Sequence, residues 1–179
     1  MSREMELVCR DEVVIRADPD LVYEALTDLD TYEQWNTTVE VTQLGPTRLA
    51  PGVRFRYTGR QPDGRPSMSW VIEVESLVAG RRIDLRYVEG DLIGPVAWEI
   101  EPVDDGCRTA YVYRGVHPTN DRAARSFERF GLSVHNLATV MAIEGLGRYV
   151  RGEPLGDDWR AEVSDRMVKG VAELAKRDR

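Results

Sequence analysis

Apolar and polar residues alternate from the start of the chain. Over residues 6–17 the odd positions are Leu7, Cys9, Asp11, Val13, Ile15 and Ala17, and the even positions are mostly charged. A two-residue period with one charged face predicts a half-buried antiparallel strand. The period then lengthens in A-D-P-D-L-V-Y-E-A-L. Asp18 suits a helix cap and Pro19 the first helical position, while Leu21, Val22, Ala25 and Leu26 share a face. A second short helix follows, with Asp30 and Glu33 at capping-box spacing and Trp35 in its last turn.

Six further alternating runs come next, separated by turn residues such as Gly45-Pro46, Pro62-Asp63-Gly64 and Asp104-Asp105-Gly106. Summed over these runs, one face collects Phe55, Tyr57, Trp70, Ile72, Tyr87, Trp98, Tyr111 and Tyr113. The opposite face collects mixed charges, among them Arg54, Glu73, Glu75, Arg86, Glu99 and Glu101. Such a charged face reads as solvent-side cross-strand pairing, and it keeps Glu99 and Glu101 out of any acid–base role. The apolar face requires a cover. A helix over residues 125–150 supplies it, its stripe running through Phe127, Phe130, Val134, Leu137, Ala138 and Met141. Residues 157–179 predict one more amphipathic helix, with Trp159, Val163, Met167, Val171 and Leu174 as its stripe. That helix is expected to pack on the domain, with covering a pocket or pairing with a second copy as alternatives. The pattern is therefore α+β: seven antiparallel strands curved around a long helix, leaving a cavity where the inner face is most aromatic.

Composition narrows the function. The 179 residues are 42% hydrophobic and 31% charged, as expected of one soluble globular domain. A net charge of −7 argues against nucleic acid and against an anionic membrane surface as partners. The first dozen residues carry charges throughout, and the longest uncharged run, 131–143, is too short for a bilayer. A cytoplasmic protein without membrane insertion is expected. Cys9 and Cys107 form no C-x-x-C and the two histidines are not clustered in sequence, so no metal site is expected. No nucleophile elbow, catalytic Cys–His motif or phosphate-cradling glycine loop occurs.

The stretch I-R-A-D-P-D-L-V-Y-E-A-L-T-D-L-D-T-Y-E-Q-W and the later W-E-I-E-P-V-D-D-G-C-R-T-A-Y-V-Y resemble the START and pollen-allergen-like (SRPBCC) superfamily, in its polyketide cyclase/dehydrase branch. The resemblance runs from Leu7 to about Gly152. It implies a helix-grip fold over residues 1–152, with 153–179 as an added helix packed on the same domain. It also implies that the first and last strands pair antiparallel, which sets Cys9 and Cys107 too far apart for a disulfide.

On that fold the cavity would be lined by Tyr57, Trp70, Tyr87, Trp98 and Tyr111, with Trp35, Val134 and Met141 as further ligand contacts. Aromatic walls bearing hydroxyls suit a flat, oxygenated ligand. The expected catalytic set is His117, Tyr113 and Asp11. His117 ends the alternating run T-A-Y-V-Y-R-G-V-H-P on the tyrosine side, and an imidazole moves protons readily near neutral pH. Asp11 would orient an imidazole or a substrate hydroxyl, while His135 and Glu144 are weaker candidates on the flank of the long helix. The implied reaction is cyclisation and dehydration of a polyketide-like intermediate without a metal or organic cofactor. The alternative is a carrier of a lipid, isoprenoid or pigment, and a homodimer is a possible assembly.

Overall fold

The computed structural model describes residues 5–61, 63–153 and 155–177, apart from the side chains of Leu174, Ala175 and Arg177. The first four residues of the N-terminal stretch, Pro62 of the predicted turn and the Leu174 side chain lie outside the described residues. Strand β1 (Leu7–Ile15) keeps its two-residue period, with Leu7, Asp11 and Ile15 buried and the even positions exposed. Helix α1 (Pro19–Thr27) begins where the Asp18 side chain accepts from the Asp20 N–H at 2.9 Å. It buries Val22, Ala25 and Leu26 and leaves Leu21 exposed. The capping box expected at Asp30 and Glu33 does not form. Asp28 instead caps a 3-10 turn at Leu29–Thr31, and Asp30 accepts from the Gln43 side chain at 2.8 Å. Helix α2 (Tyr32–Trp35) follows directly.

Strands β2 (Val39–Gln43), β3 (Arg54–Arg60), β4 (Pro66–Val78), β5 (Arg82–Gly90), β6 (Leu92–Val103) and β7 (Gly106–Pro118) complete one sheet. Its order is β1-β7-β6-β5-β4-β3-β2, every neighbouring pair being antiparallel. The outer face carries the mixed charges as ion pairs. Glu99 pairs with both Arg10 and Arg114, Arg54 with Glu73, and Arg86 with Glu75. Burial works against ionising Glu99, but the two arginines outweigh it and hold its carboxyl below the usual range.

The inner face holds Phe55, Ile72, Ile83, Leu85 and Ile100, each at most 3% exposed. Its cover differs from expectation, being two helices rather than one. Helix α3 (Asp121–Phe130) ends at Gly131, whose φ of 56° lies in the left-handed region and whose N–H returns to the Phe127 carbonyl. Glycine enters that region without a Cβ penalty, so the helix stops there and a new one starts at Ser133. Helix α4 (Ser133–Val150) then crosses the sheet, burying Ala142, Ile143 and Leu146 in the main core. At Gly145 it passes so near α2 that a Cβ would lie 2.3 Å from the Trp35 carbonyl oxygen. Helix α5 (Asp157–Arg177) seats Trp159, Val163 and Met167 on Met141 of α4. The result is an α+β helix-grip fold: a curled seven-stranded antiparallel sheet holding α4, with α5 on the far side of that helix.

Candidate active site

A cavity of about 160 Å³ lies between the sheet's inner face and helices α3 and α4. Engineered apolar cavities near that size, about 150 Å³, hold a benzene molecule, so the space suits roughly one ring. Tyr57, Trp70, Tyr87, Trp98, Tyr111 and Tyr113 form the sheet wall. Phe127, Val134, His135 and Thr139 form the helix wall, and Met167 of α5 closes one end. A more polar groove of about 200 Å³, lined by Glu33, Gln61 and Arg160, shares Asn36, Thr38, Val39, Arg60 and Met167 with the cavity and adjoins it.

Six of the expected ligand residues, Tyr57, Trp70, Tyr87, Trp98, Tyr111 and Val134, therefore meet in one place. Trp35 and Met141 do not. Trp35 is fully buried against Tyr32, its indole N–H donating to the Thr31 hydroxyl at 3.3 Å. Met141 lies on the side of α4 that α5 covers.

The tyrosine hydroxyls form a linked set. Tyr87 and Tyr111 hydroxyls are 2.7 Å apart, and Tyr87 donates to Tyr113 at 3.4 Å. Burial, reinforced by the neighbouring phenols, pushes the ionisation of Tyr87 and Tyr111 well above the ordinary phenol range. They stay neutral and act as hydrogen-bond donors. The buried indole N–H groups of Trp70 and Trp98 have no partner among the described residues. Buried donors are ordinarily satisfied; with the Tyr57 hydroxyl, also unpartnered among the described residues, three such groups on the cavity wall are donors that a ligand acceptor would satisfy.

His117 is not part of this wall. Along β7 the alternation breaks at Gly115, where φ is 99°: Val8 pairs with Arg114 and Leu7 with Val116. The extra residue of this bulge reverses which face each later side chain takes. Val116 is fully buried, and His117 is half-buried with Nδ1 3.0 Å from the Met5 carbonyl oxygen.

The imidazole in the cavity is that of His135. Its ring centre lies 4.2 Å from that of Tyr113, and Nε2 is 3.3 Å from the Thr139 hydroxyl. On the other edge, Nδ1 is 3.4 Å from Asp11 Oδ2 and 3.8 Å from Cys9 Sγ. Asp11 is 7% exposed, so this inward carboxylate of β1 stands where the alternation predicted it. Asp11 and Cys9 lie behind His135, at the seam between β1 and α4. Burial, then the Asp11 charge, pushes the Cys9 thiol up to about 12, which disfavours a nucleophilic thiolate. Glu144 is held by Arg166 of α5 at 2.6 Å. The two cysteines are free, Cys9 pairing across the sheet with Tyr113 and Cys107 with Ile15.

A curled antiparallel sheet gripping a helix over an aromatic cavity defines a helix-grip ligand-binding protein. Residues 8–142 match the family described as polyketide cyclase / dehydrase and lipid transport, and the chain belongs to that family. Among solved structures it is similar to TTHA0849 from Thermus thermophilus, at 20% identity and a TM-score of 0.68, covering 82% of this chain and 98% of that one. It is also similar to Ms6760 from Mycobacterium smegmatis, at 16% identity and a TM-score of 0.59, covering 82% and 92%. These likenesses establish the fold. No curated protein matches the chain. Among the described residues no helix is long and apolar enough to cross a membrane.

Proposed function

We propose that the cavity binds a carbonyl-bearing molecule of about one ring and catalyses proton transfer at the carbon beside the carbonyl, the elementary step of cyclase and dehydratase chemistry. The observation that carries this reading is His135 at the cavity wall, backed by the buried Asp11 carboxylate. A base on the reacting side with an orienting group behind it is the arrangement general-base catalysis needs. His135 Nε2 takes the proton from carbon and returns it to the departing or newly formed oxygen. The Trp70 and Trp98 N–H groups and the neutral Tyr87, Tyr111 and Tyr113 hydroxyls are the wall's donors for the ligand oxygen, where negative charge develops. A pocket walled by the sheet and by α3 and α4 holds reacting groups close and restricts their orientation. Tyr113 and Asp11 keep the roles expected of them, and His135 takes the role expected of His117.

The test is deuterium exchange of α-protons in small ketones, with 2-hydroxyacetophenone and 2,4-pentanedione as probes, followed by NMR. Binding is measured separately by quenching of tryptophan fluorescence. The wild-type chain is expected to raise exchange at least about 100-fold over buffer, and His135→Asn to abolish the gain while binding persists. Binding without accelerated exchange, or tighter binding of fatty acids and isoprenoids, would make the chain a carrier.

A further inference from the structure

We infer that Cys9, Asp11 and His135 form a binding site for one zinc-type divalent metal ion at the seam between β1 and α4. The three offer one sulfur, one oxygen and one nitrogen within 4.8 Å of one another. Their separations are 3.8 Å for Sγ to Oδ2, 3.8 Å for Sγ to Nδ1 and 3.4 Å for Nδ1 to Oδ2. Tetrahedral zinc, with sulfur at about 2.3 Å and nitrogen and oxygen at about 2.0–2.1 Å, spaces its ligand atoms about 3.4–3.6 Å apart. The triangle matches that edge length to within a few tenths of an ångström, whereas 3.4 Å between Nδ1 and a carboxylate oxygen is long for a direct hydrogen bond.

The chemistry of the donors selects the ion. Thiol and imidazole exclude magnesium and calcium, which take oxygen ligands, and favour zinc or cobalt. Asp11 is a buried carboxylate with no lysine or arginine partner among the described residues. A buried carboxylate without a compensating cation is costly, and a bound dication supplies one. Thr139 sits behind the ligand imidazole, 3.3 Å from Nε2, where outer partners of metal-bound histidines belong. Cys9 and Asp11 are two apart on one strand, so they share a face, and the fold brings in His135 from 126 residues away. Local spacing therefore hides the set.

The inference shares His135 with the proton-transfer reading but does not rest on it. Metal at Nδ1 places the imidazole proton on Nε2, so the loaded chain presents a donor, not an acceptor, to the cavity.

The experiment is titration of chelator-treated chain with cobalt(II), read by thiolate-to-cobalt charge-transfer absorption, and with zinc by equilibrium dialysis. One equivalent of each is expected to bind, with the cobalt band present. Cys9→Ser should lose the band, Asp11→Asn should weaken cobalt at least tenfold, and Cys107→Ser should change neither, each variant being checked for folding by circular dichroism. If Cys9→Ser does not fold, the isosteric Asp11→Asn still decides. No band in the wild-type chain, a band that persists in folded Cys9→Ser, or undiminished affinity in Asp11→Asn overturns the inference. The readout needs no turnover. With exchange measured on the chelator-treated, metal-free chain, exchange without cobalt binding loses only the metal site, and cobalt binding without exchange loses only the proton-transfer reading.

Discussion

His117 donates from Nδ1 to the carbonyl oxygen of Met5 at 3.0 Å, which ties the end of β7 to the residues entering β1. This histidine is a fastener of the sheet edge rather than a member of the cavity. His117→Ala is expected to cost about 1 kcal/mol, the typical worth of one hydrogen bond, and to leave ligand affinity and proton exchange unchanged. Urea unfolding and the exchange assay, run on the same preparation, measure both. A loss of exchange in His117→Ala would return it to the site.

Gly145 and Trp35 set how closely α4 approaches α2. A Cβ at Gly145 would meet the Trp35 carbonyl oxygen at 2.3 Å, and backbone cannot step aside as a flexible side chain does. Gly145→Ala is expected to destabilise the chain by about 1–3 kcal/mol despite alanine's better helix propensity. Chemical denaturation checks the sign, and an unchanged or raised stability contradicts the close packing described.

What the sequence made legible, and what it hid, follows from the range of the forces involved. The two-residue period survives in β1 and most of β7 because alternation is enforced residue by residue, so Asp11 and the wall tyrosines were placeable. The bulge at Gly115 is a single-residue event whose only mark is a glycine that would suit an ordinary strand position poorly. It moved His117 off the face that uninterrupted alternation gave it. The break at Gly131 divides the expected covering helix into α3 and α4. Within α4 the stripe through Val134, Leu137, Ala138 and Met141 packs largely against α5, so the face toward the cavity runs instead through His135, Thr139 and Ala142. The meeting of Cys9, Asp11 and His135 joins an edge strand to a distant helix, and no local pattern encodes it.

The outer face makes acid stability depend on Glu99. Its carboxylate, 26% exposed, is shared by Arg10 and Arg114 and ionises more readily folded than unfolded. That difference stabilises the fold fully above the unfolded value of 4.5 and is lost as pH falls through the lower folded value. Glu99→Gln is expected to cost about 1 kcal/mol at pH 7, with the gap to wild type closing below pH 4.5. Thermal unfolding at several pH values reads it, and a gap independent of pH would exclude an electrostatic origin.

Met167 belongs to two environments, the small core under α5 and the end of the cavity. Met167→Ala opens the boundary between them. It is expected to cost about 2 kcal/mol and to lengthen the cavity toward the polar groove. Two-ring ketones should gain affinity relative to one-ring ketones, as measured by fluorescence titration. Unchanged selectivity would mean that α5 does not limit ligand size.

Trp70 and Trp98 carry the most specific statement the cavity makes about its ligand. Both rings are packed among tyrosines, Trp70 5.5 Å from Tyr87 and Trp98 4.5 Å from Tyr111, yet both indole N–H groups lack an acceptor among the described residues. Hydrophobic packing accounts for the rings and not for the nitrogens, since an apolar side chain would pack there without burying an unsatisfied donor. Trp98→Phe removes the unpaired donor but leaves part of the indole's volume empty, so the ligand-free chain is expected to change in stability by no more than about 1 kcal/mol. The substitution should also weaken carbonyl ligands by about tenfold, the equivalent of one hydrogen bond, with little effect on a hydrocarbon such as toluene. Thermal unfolding without ligand and fluorescence titration of Trp70 with each ligand class separate the two effects. Equal loss for ketone and hydrocarbon would reduce the indole to a packing element and remove the acceptor from the ligand's required chemistry.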